Sequence, residues 1–172
     1  PVADLLPASP QRIADIGAGP GREAVWLAGL GHDVKAVEPV AAFRDIGDND
    51  PEGRSITWLD DRLPDLAPLR ALPPFDLLLL SGVWHHVAPA LRARAMSAMT
   101  AALRPQGRML ISLRQGPDDP SHGLYSAWLA EAEALAAACG LLPVAAREAP
   151  AIQQQNRDAG VHWIWLALNK PA

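Results

Sequence analysis

Residues Gly17-Ala18-Gly19-Pro20-Gly21 stand between an apolar run, Arg12 to Ile16, and a stretch with apolar side chains at helical spacing. Three glycines in five positions permit a tight turn and remove the Cβ atoms that would block a ligand. The helix that follows presents unpaired N–H groups, against which a negative group can sit. Spacing separates two kinds of ligand. A dinucleotide loop reads G-x-G-x-x-G, and its last glycine lets helix and pyrophosphate approach the strand. Here Arg22 holds that place, the pattern is G-x-G-x-G, and Asp15 lies two residues before the first glycine. Glu38 closes the next apolar run, Val34 to Val37. An ionised carboxylate there can accept from two vicinal hydroxyls, as in a ribose. A solvated Glu before Pro39 is the alternative. Asp60 and Asp61 follow a third run, Ile56-Thr57-Trp58-Leu59, and register at a strand end leaves either in play.

Further polar groups cluster downstream. His85 and His86 follow the run Phe75 to Leu80. Histidine titrates near neutrality, so each is a candidate base, and each can equally cap a helix or hydrogen-bond across a cleft. Arg114 and Arg157 could bind an anion such as a carboxylate, or could be ordinary surface arginines. Ser81, Trp84, Tyr125 and His122 fall in the same stretches. Trp163 and Trp165, two apart on one strand, share a face and read as core or interface packing, as Trp26 and Trp128 read as helix packing. Adjacent histidines do not converge easily on one ion, and no Cys/His cluster has metal spacing, so no metal is expected.

The elements that must position these groups alternate. Strands are read at 12–16, 33–37, 55–59, 75–80 and 108–113, with helices over about 21–30, 39–45, 89–103 and 125–139 between them. The four-leucine run Leu77 to Leu80 marks a strand covered on both faces. A polar loop is expected over 47–53, and Pro64, Pro68, Pro73 and Pro74 allow only short helix over 62–74. Arg104-Pro105-Gln106-Gly107 should stop the fourth helix. The last two strands, 141–148 and 161–169, have only a polar loop between them and should form an antiparallel hairpin. Strands alternating with helices give a parallel α/β sheet, and ligands of such sheets sit at the carboxyl ends of the strands.

Taken in order, these segments are similar to the class I S-adenosylmethionine-dependent methyltransferases, small-molecule type. Ile13-Ala14-Asp15-Ile16-Gly17-Ala18-Gly19-Pro20-Gly21 resembles the family's motif I. Phe75 through Val87 resembles its motif IV in the form that ends apolar–His–His–apolar, not the N-P-P-Y or D-P-P-Y form associated with amino groups of bases and glutamine. Leu103-Arg104-Pro105-Gln106-Gly107 resembles its L-x-P-G-G segment, with Gln106 in place of the first glycine. The resemblance runs from about Arg12 to Asn169. It implies a Rossmann-like, doubly wound seven-stranded sheet of order 3-2-1-4-5-7-6, mostly parallel with an antiparallel last strand. It further implies S-adenosyl-L-methionine as cofactor, held by Asp15, Gly17, Ala18, Gly19, Gly21, Glu38 at the ribose, Asp60 or Asp61 at the adenine amino group, and Ser81. The acceptor would lie by Trp84, Arg114, Tyr125 and Arg157, with His85 and His86 as catalytic candidates. The N-terminal helix that usually lids the cofactor has no counterpart, and one domain over 1–172 is expected.

Composition sets the remaining bounds. A chain of 172 residues suits one domain that needs no metal or disulfide to fold. Its net charge of −4 and lack of a basic stripe argue against non-specific DNA binding through phosphates, leaving room for a small single-stranded or tRNA footprint. The single cysteine, Cys139, reads as a small buried hydrophobe and suits a reducing, cytoplasmic setting. No apolar run approaches the roughly 20 residues of a bilayer span, and no leader peptide is visible. The expected partner is a small-molecule substrate, with the chain a monomer or homodimer. The competing readings are an NAD(P)-dependent oxidoreductase, disfavoured by Arg22 and the terminal hairpin, and a non-catalytic S-adenosylmethionine-binding scaffold.

Overall fold

The structure is a computed structural model and describes residues 2–48, 56–151 and 153–172. Seven strands form one sheet in the order β3-β2-β1-β4-β5-β7-β6. They are β1 (Arg12–Ile16), β2 (Asp33–Val37), β3 (Ile56–Leu59), β4 (Phe75–Leu80), β5 (Leu103–Gln115), β6 (Leu142–Pro150) and β7 (His162–Asn169). The first five are parallel, and β7 runs antiparallel between β5 and β6. The helices are α1 (Arg22–Gly29), α2 (Ala41–Asp48), α3 (Ala67–Arg70), α4 (Pro89–Ala102), α5 (Leu129–Ala138) and α6 (Gln154–Asp158). None among the described residues is long and apolar enough to cross a membrane.

Strand alternation sends successive side chains to opposite faces. Ile13, Leu77, Leu79 and Leu110 meet Ala24 and Leu27 of α1 on one face. Ala14, Ile16, Leu78, Leu80 and Ile111 meet Leu69 of α3, Met96 and Met99 of α4, and Ala132 and Ala136 of α5 on the other. That two-sided burial is what the unbroken leucines of β4 require. Each fully buried leucine contributes about 1.5–3 kcal/mol to stability.

Several boundaries differ from expectation, each for a physical reason. Helix α2 runs to Asp48, so Gly47 and Asp48 are helical, while the rest of the expected loop and Ser55 lie outside the described residues. Strand β5 is assigned from Leu103, because Gln106 takes φ +63° and donates its N–H to Lys170 O at 3.0 Å, holding a bulged segment on the sheet. Helix α5 begins at Leu129 instead of Tyr125. The N–H of Tyr125 goes to His85 O and that of Ala127 to Arg114 O, both at 2.9 Å, so 125–127 is a strap tying the ends of β4 and β5 together. The expected polar loop before β7 contains the short helix α6.

Candidate functional site

The turn after β1 is held by its own backbone. The N–H groups of Gly17 and Ala18 both donate to Val37 O, at 2.8 and 3.0 Å, and Gly21 N–H donates to Ala18 O at 2.9 Å. The Gly19 N–H donates to Glu38 Oε2 at 2.9 Å, while Val40 N–H donates to Oε1 of the same carboxylate. Gly17, Gly19 and Gly21 all take positive φ, which a side chain resists. A Cβ at Gly17 would stand 2.4 Å from Val83, and one at Gly21 3.0 Å from the Trp58 indole; one at Gly19 would meet nothing within 4 Å. The cradle is therefore open above Gly19 and walled on both sides.

Carboxylates surround this opening. Asp15 is buried at 2% exposure, and its Oδ2 has no hydrogen-bond partner. Burial, with Glu23 and Glu38 nearby, pushes its pKa up to about 8, so in this form it carries a proton at neutral pH. Glu38 is buried at 6%. Glu23, at the start of α1, accepts from Ser81 Oγ at 3.2 Å and from Arg22 at 2.5 Å, which brings the end of β4 to the same place. The four loop amides that could have met a pyrophosphate are already used, and the side chains beside them are the carboxyl groups of Asp15 and Glu38, so the site suits a ligand that donates hydrogen bonds or bears a cation.

Asp60 and Asp61 have separate fates. Asp61 is buried and accepts from the N–H groups of Arg62 and Leu69, at 2.8 and 2.9 Å, so it organises the chain entering α3. Asp60 is exposed and pairs with Arg44 at 3.1 Å; Arg44 also donates to Glu38 O at 2.6 Å, so Asp60 stands on the rim beside the Glu38 carboxylate.

The second half of the edge lies past β4 and β5. Trp84 is fully buried in the core against α4 and α5, so the indole expected at the acceptor serves packing. His85 is also buried, its ring edge-on to Trp163 with centroids 5.3 Å apart, and its Nδ1 has no partner. Burial first, then the neighbouring His86, Arg114 and Arg92, lower its pKa to about 3. It is thus a neutral imidazole and a feeble base. His86 is exposed, with Nδ1 3.1 Å from Gly123 O. A carbonyl oxygen can only accept, so Nδ1 carries a hydrogen in this contact and Nε2 is the ring nitrogen that it leaves unengaged. Tyr125 is half-buried in the strap. Arg157 is on α6, donating to Ala151 O and Gln154 Oε1.

Between the halves, on the α1 face, runs an open groove of about 270 Å³ lined by Leu6, Glu23, Trp26, Leu79, Ser81 and Trp165 among others. Trp165 was expected only to pack; its place on the groove wall follows from antiparallel pairing with Ser112. The sequence offered no signal for Glu23 or Arg44, which are placed by tertiary contacts. Among the described residues no group of His, Cys, Asp and Glu could hold a metal.

A family model described as a methyltransferase domain matches residues 1–162. An uncharacterized methyltransferase of Mycobacterium tuberculosis is 33% identical over 113 residues, covering 61% of this chain and 40% of its own length. A trans-aconitate 2-methyltransferase of Methylobacterium nodulans is 29% identical over 92% of this chain and 57% of its own length. The chain thus spans less than two thirds of either relative. Among solved structures, the 1,6-didemethyltoxoflavin-N1-methyltransferase of Burkholderia thailandensis, with bound 1,6-didemethyltoxoflavin and S-adenosylhomocysteine, has a TM-score of 0.75 at 24% identity, covering 99% of this chain and 75% of that one.

Proposed function

Because this chain belongs to the methyltransferase-domain family, we propose that it binds S-adenosyl-L-methionine and transfers its methyl group to a small-molecule acceptor. The observation that carries this reading is the Glu38 carboxylate, joined to the Gly19 N–H beside the orphaned Oδ2 of Asp15. An opening rimmed by carboxylates and lacking free loop amides fits a sulfonium, an ammonium and a ribose better than a pyrophosphate, which disfavours a dinucleotide oxidoreductase.

Each residue's part follows from its place. Glu38 offers the remaining lone pairs of its oxygens to the ribose hydroxyls. The glycines Gly17, Gly19 and Gly21 let backbone lie against the ligand, with Ala18 between them. Asp15, once it yields its proton, accepts from the ammonium, and Ser81 lines the groove toward the acceptor. Asp60 on the rim is placed for the adenine amino group, since Asp61 already accepts from two backbone N–H groups. The cofactor, when bound, supplies an electrophilic methyl whose leaving group is neutral. What the chain then provides is alignment and exclusion of water.

The acceptor sits past β4 and β5, by Arg114, Tyr125 and the His85–His86 pair. If it must lose a proton, Nε2 of exposed His86 is the available base, whereas neutral His85 holds position. The half-buried Cys139 suits a reducing cytoplasm. Relatives and neighbours named for small molecules support a small acceptor.

Calorimetry with S-adenosylhomocysteine tests the reading. We expect saturable one-site binding in the micromolar range, about −8 kcal/mol, that NADH does not compete away. Folded protein that gives no heat at high micromolar ligand would overturn it.

A further inference from the structure

We propose that Arg114 is the anchor for a carboxylate group of the acceptor; this rests on the reading above for the identity of the site as the acceptor side. Arg114 is about nine-tenths buried near the carboxyl end of β5. One of its nitrogens, Nη1, donates to Pro117 O at 2.8 Å. Among the described residues it has no carboxylate partner, and Nε and Nη2 donate to nothing. Neither of these nitrogens is sealed away as an orphaned buried atom. They are therefore reachable, on a guanidinium that the fold has otherwise taken out of water.

That arrangement is costly unless something completes it. Desolvating a cation without an opposite charge costs several kcal/mol in general, and this chain has the means to avoid it. Asp118 and Asp119 lie four and five residues along the same loop. Yet Asp118 accepts from Ser126 N–H, and Asp119 from Ser121 and His122. The contrast with Arg92 is direct. That guanidinium, at 1% exposure, meets Glu131 at 2.5 Å, Ser126 O at 2.9 Å and Val87 O at 3.1 Å. The fold satisfies one buried arginine completely and leaves the other short of an anion.

Location turns the deficit into a binding site. Arg114 pairs in register with Trp163, and Ser112 with Trp165, so all four side chains share the α1 face, where Trp165 lines the open groove. His85, whose ring meets Trp163 edge-on, contributes a buried Nδ1 without a partner on the same side. A planar carboxylate accepting from Nε and Nη2 would supply two parallel charge-assisted hydrogen bonds. Its remaining atoms would lie against the indole.

The test uses acid and ester pairs on the intact chain, by calorimetry with and without saturating S-adenosylhomocysteine. The probes are trans-aconitate, benzoate and the methyl esters of both. We expect at least one acid to bind saturably and its ester to bind at least tenfold more weakly. Arg114→Gln should abolish the difference, Arg114→Lys should retain part of it, and S-adenosylhomocysteine affinity should change less than twofold in both. The proposal is overturned if no acid binds while S-adenosylhomocysteine does, or if acid and ester bind alike. It is equally overturned if Arg114→Gln binds the acids as the unaltered chain does. The acid–ester comparison on the unaltered chain decides the matter even if a variant fails to fold. Because the acid arm is run without cofactor as well, its failure is separable from failure of the cofactor reading.

Discussion

The two halves of the strand-end edge carry opposite deficits. At the turn after β1, the carboxyl groups of Asp15 and Glu38 are buried, and among the described residues neither forms an ion pair. Past β5, Arg114 is a buried cation with no carboxylate. Away from this edge, Arg92 pairs with Glu131 and Arg104 with Asp76. An edge with buried carboxyl groups at one end and a buried guanidinium at the other is what the proposed cofactor and the proposed acceptor carboxylate require.

The comparison breaks first at the paired arginine. Arg92→Met strands the carbonyls of Val87 and Ser126 and the Glu131 carboxylate, and should cost about 3 kcal/mol. Arg114→Gln loses only the bond to Pro117 O and should cost less than about 1 kcal/mol. Chemical denaturation measures both, and equal losses would mean that Arg114 is structurally compensated after all. Next in size is Glu38→Ala. Removing a charged acceptor should weaken S-adenosylhomocysteine by roughly thirtyfold, about 2 kcal/mol, with Glu38→Gln between the two; calorimetry reads this directly.

Proton linkage sets the two ends apart as well. The Asp15 pKa is raised to about 8 in the fold from 3.8. Between those values the folded chain binds the extra proton, so stability falls as pH rises toward 8. From pH 6.5 to 8 the slope contributed should be on the order of 1 kcal/mol per pH unit, and Asp15→Asn should remove it in thermal melts at stepped pH. His85 acts in the opposite sense. Its pKa is lowered to about 3 from 6.5, so stability is lost as pH falls below 6.5, where the unfolded chain takes up the proton first. His85→Gln should flatten that acid limb while changing stability at pH 7 by less than about 1 kcal/mol. If both variants melt like the parent at every pH, the two halves do not differ in charge state as described.

Much of this architecture was legible in order of residues. Strand β4 was readable to its ends because four consecutive leucines admit no one-sided environment, and Gly17 to Gly21 announced a turn that only positive φ satisfies. The parts that escaped depend on partners distant in sequence. The delayed start of α5 is set by carbonyls of His85 and Arg114, which no helix propensity in 125–139 encodes. Asp61 could be told from Asp60 only by Leu69 N–H, eight residues on. Trp84 was expected at the acceptor because it follows the fourth strand, but a short helical turn at Trp84–His86 rotates it into the core. Arg114 was visible as a candidate, while its lack of a counter-charge is a property of the whole neighbourhood.

The indole of Trp58 fills the space beneath both Gly21 and Gly47, where a Cβ on Gly47 would stand only 2.0 Å from the ring. Its Nε1 is shut away from solvent without an acceptor. A chromophore wedged between the glycine turn and α2 reports on any movement of either. Its emission maximum and quenching by iodide therefore give an unlabelled optical signal of whether the turn has shifted, readable in a cuvette once the other five tryptophans are replaced by phenylalanine.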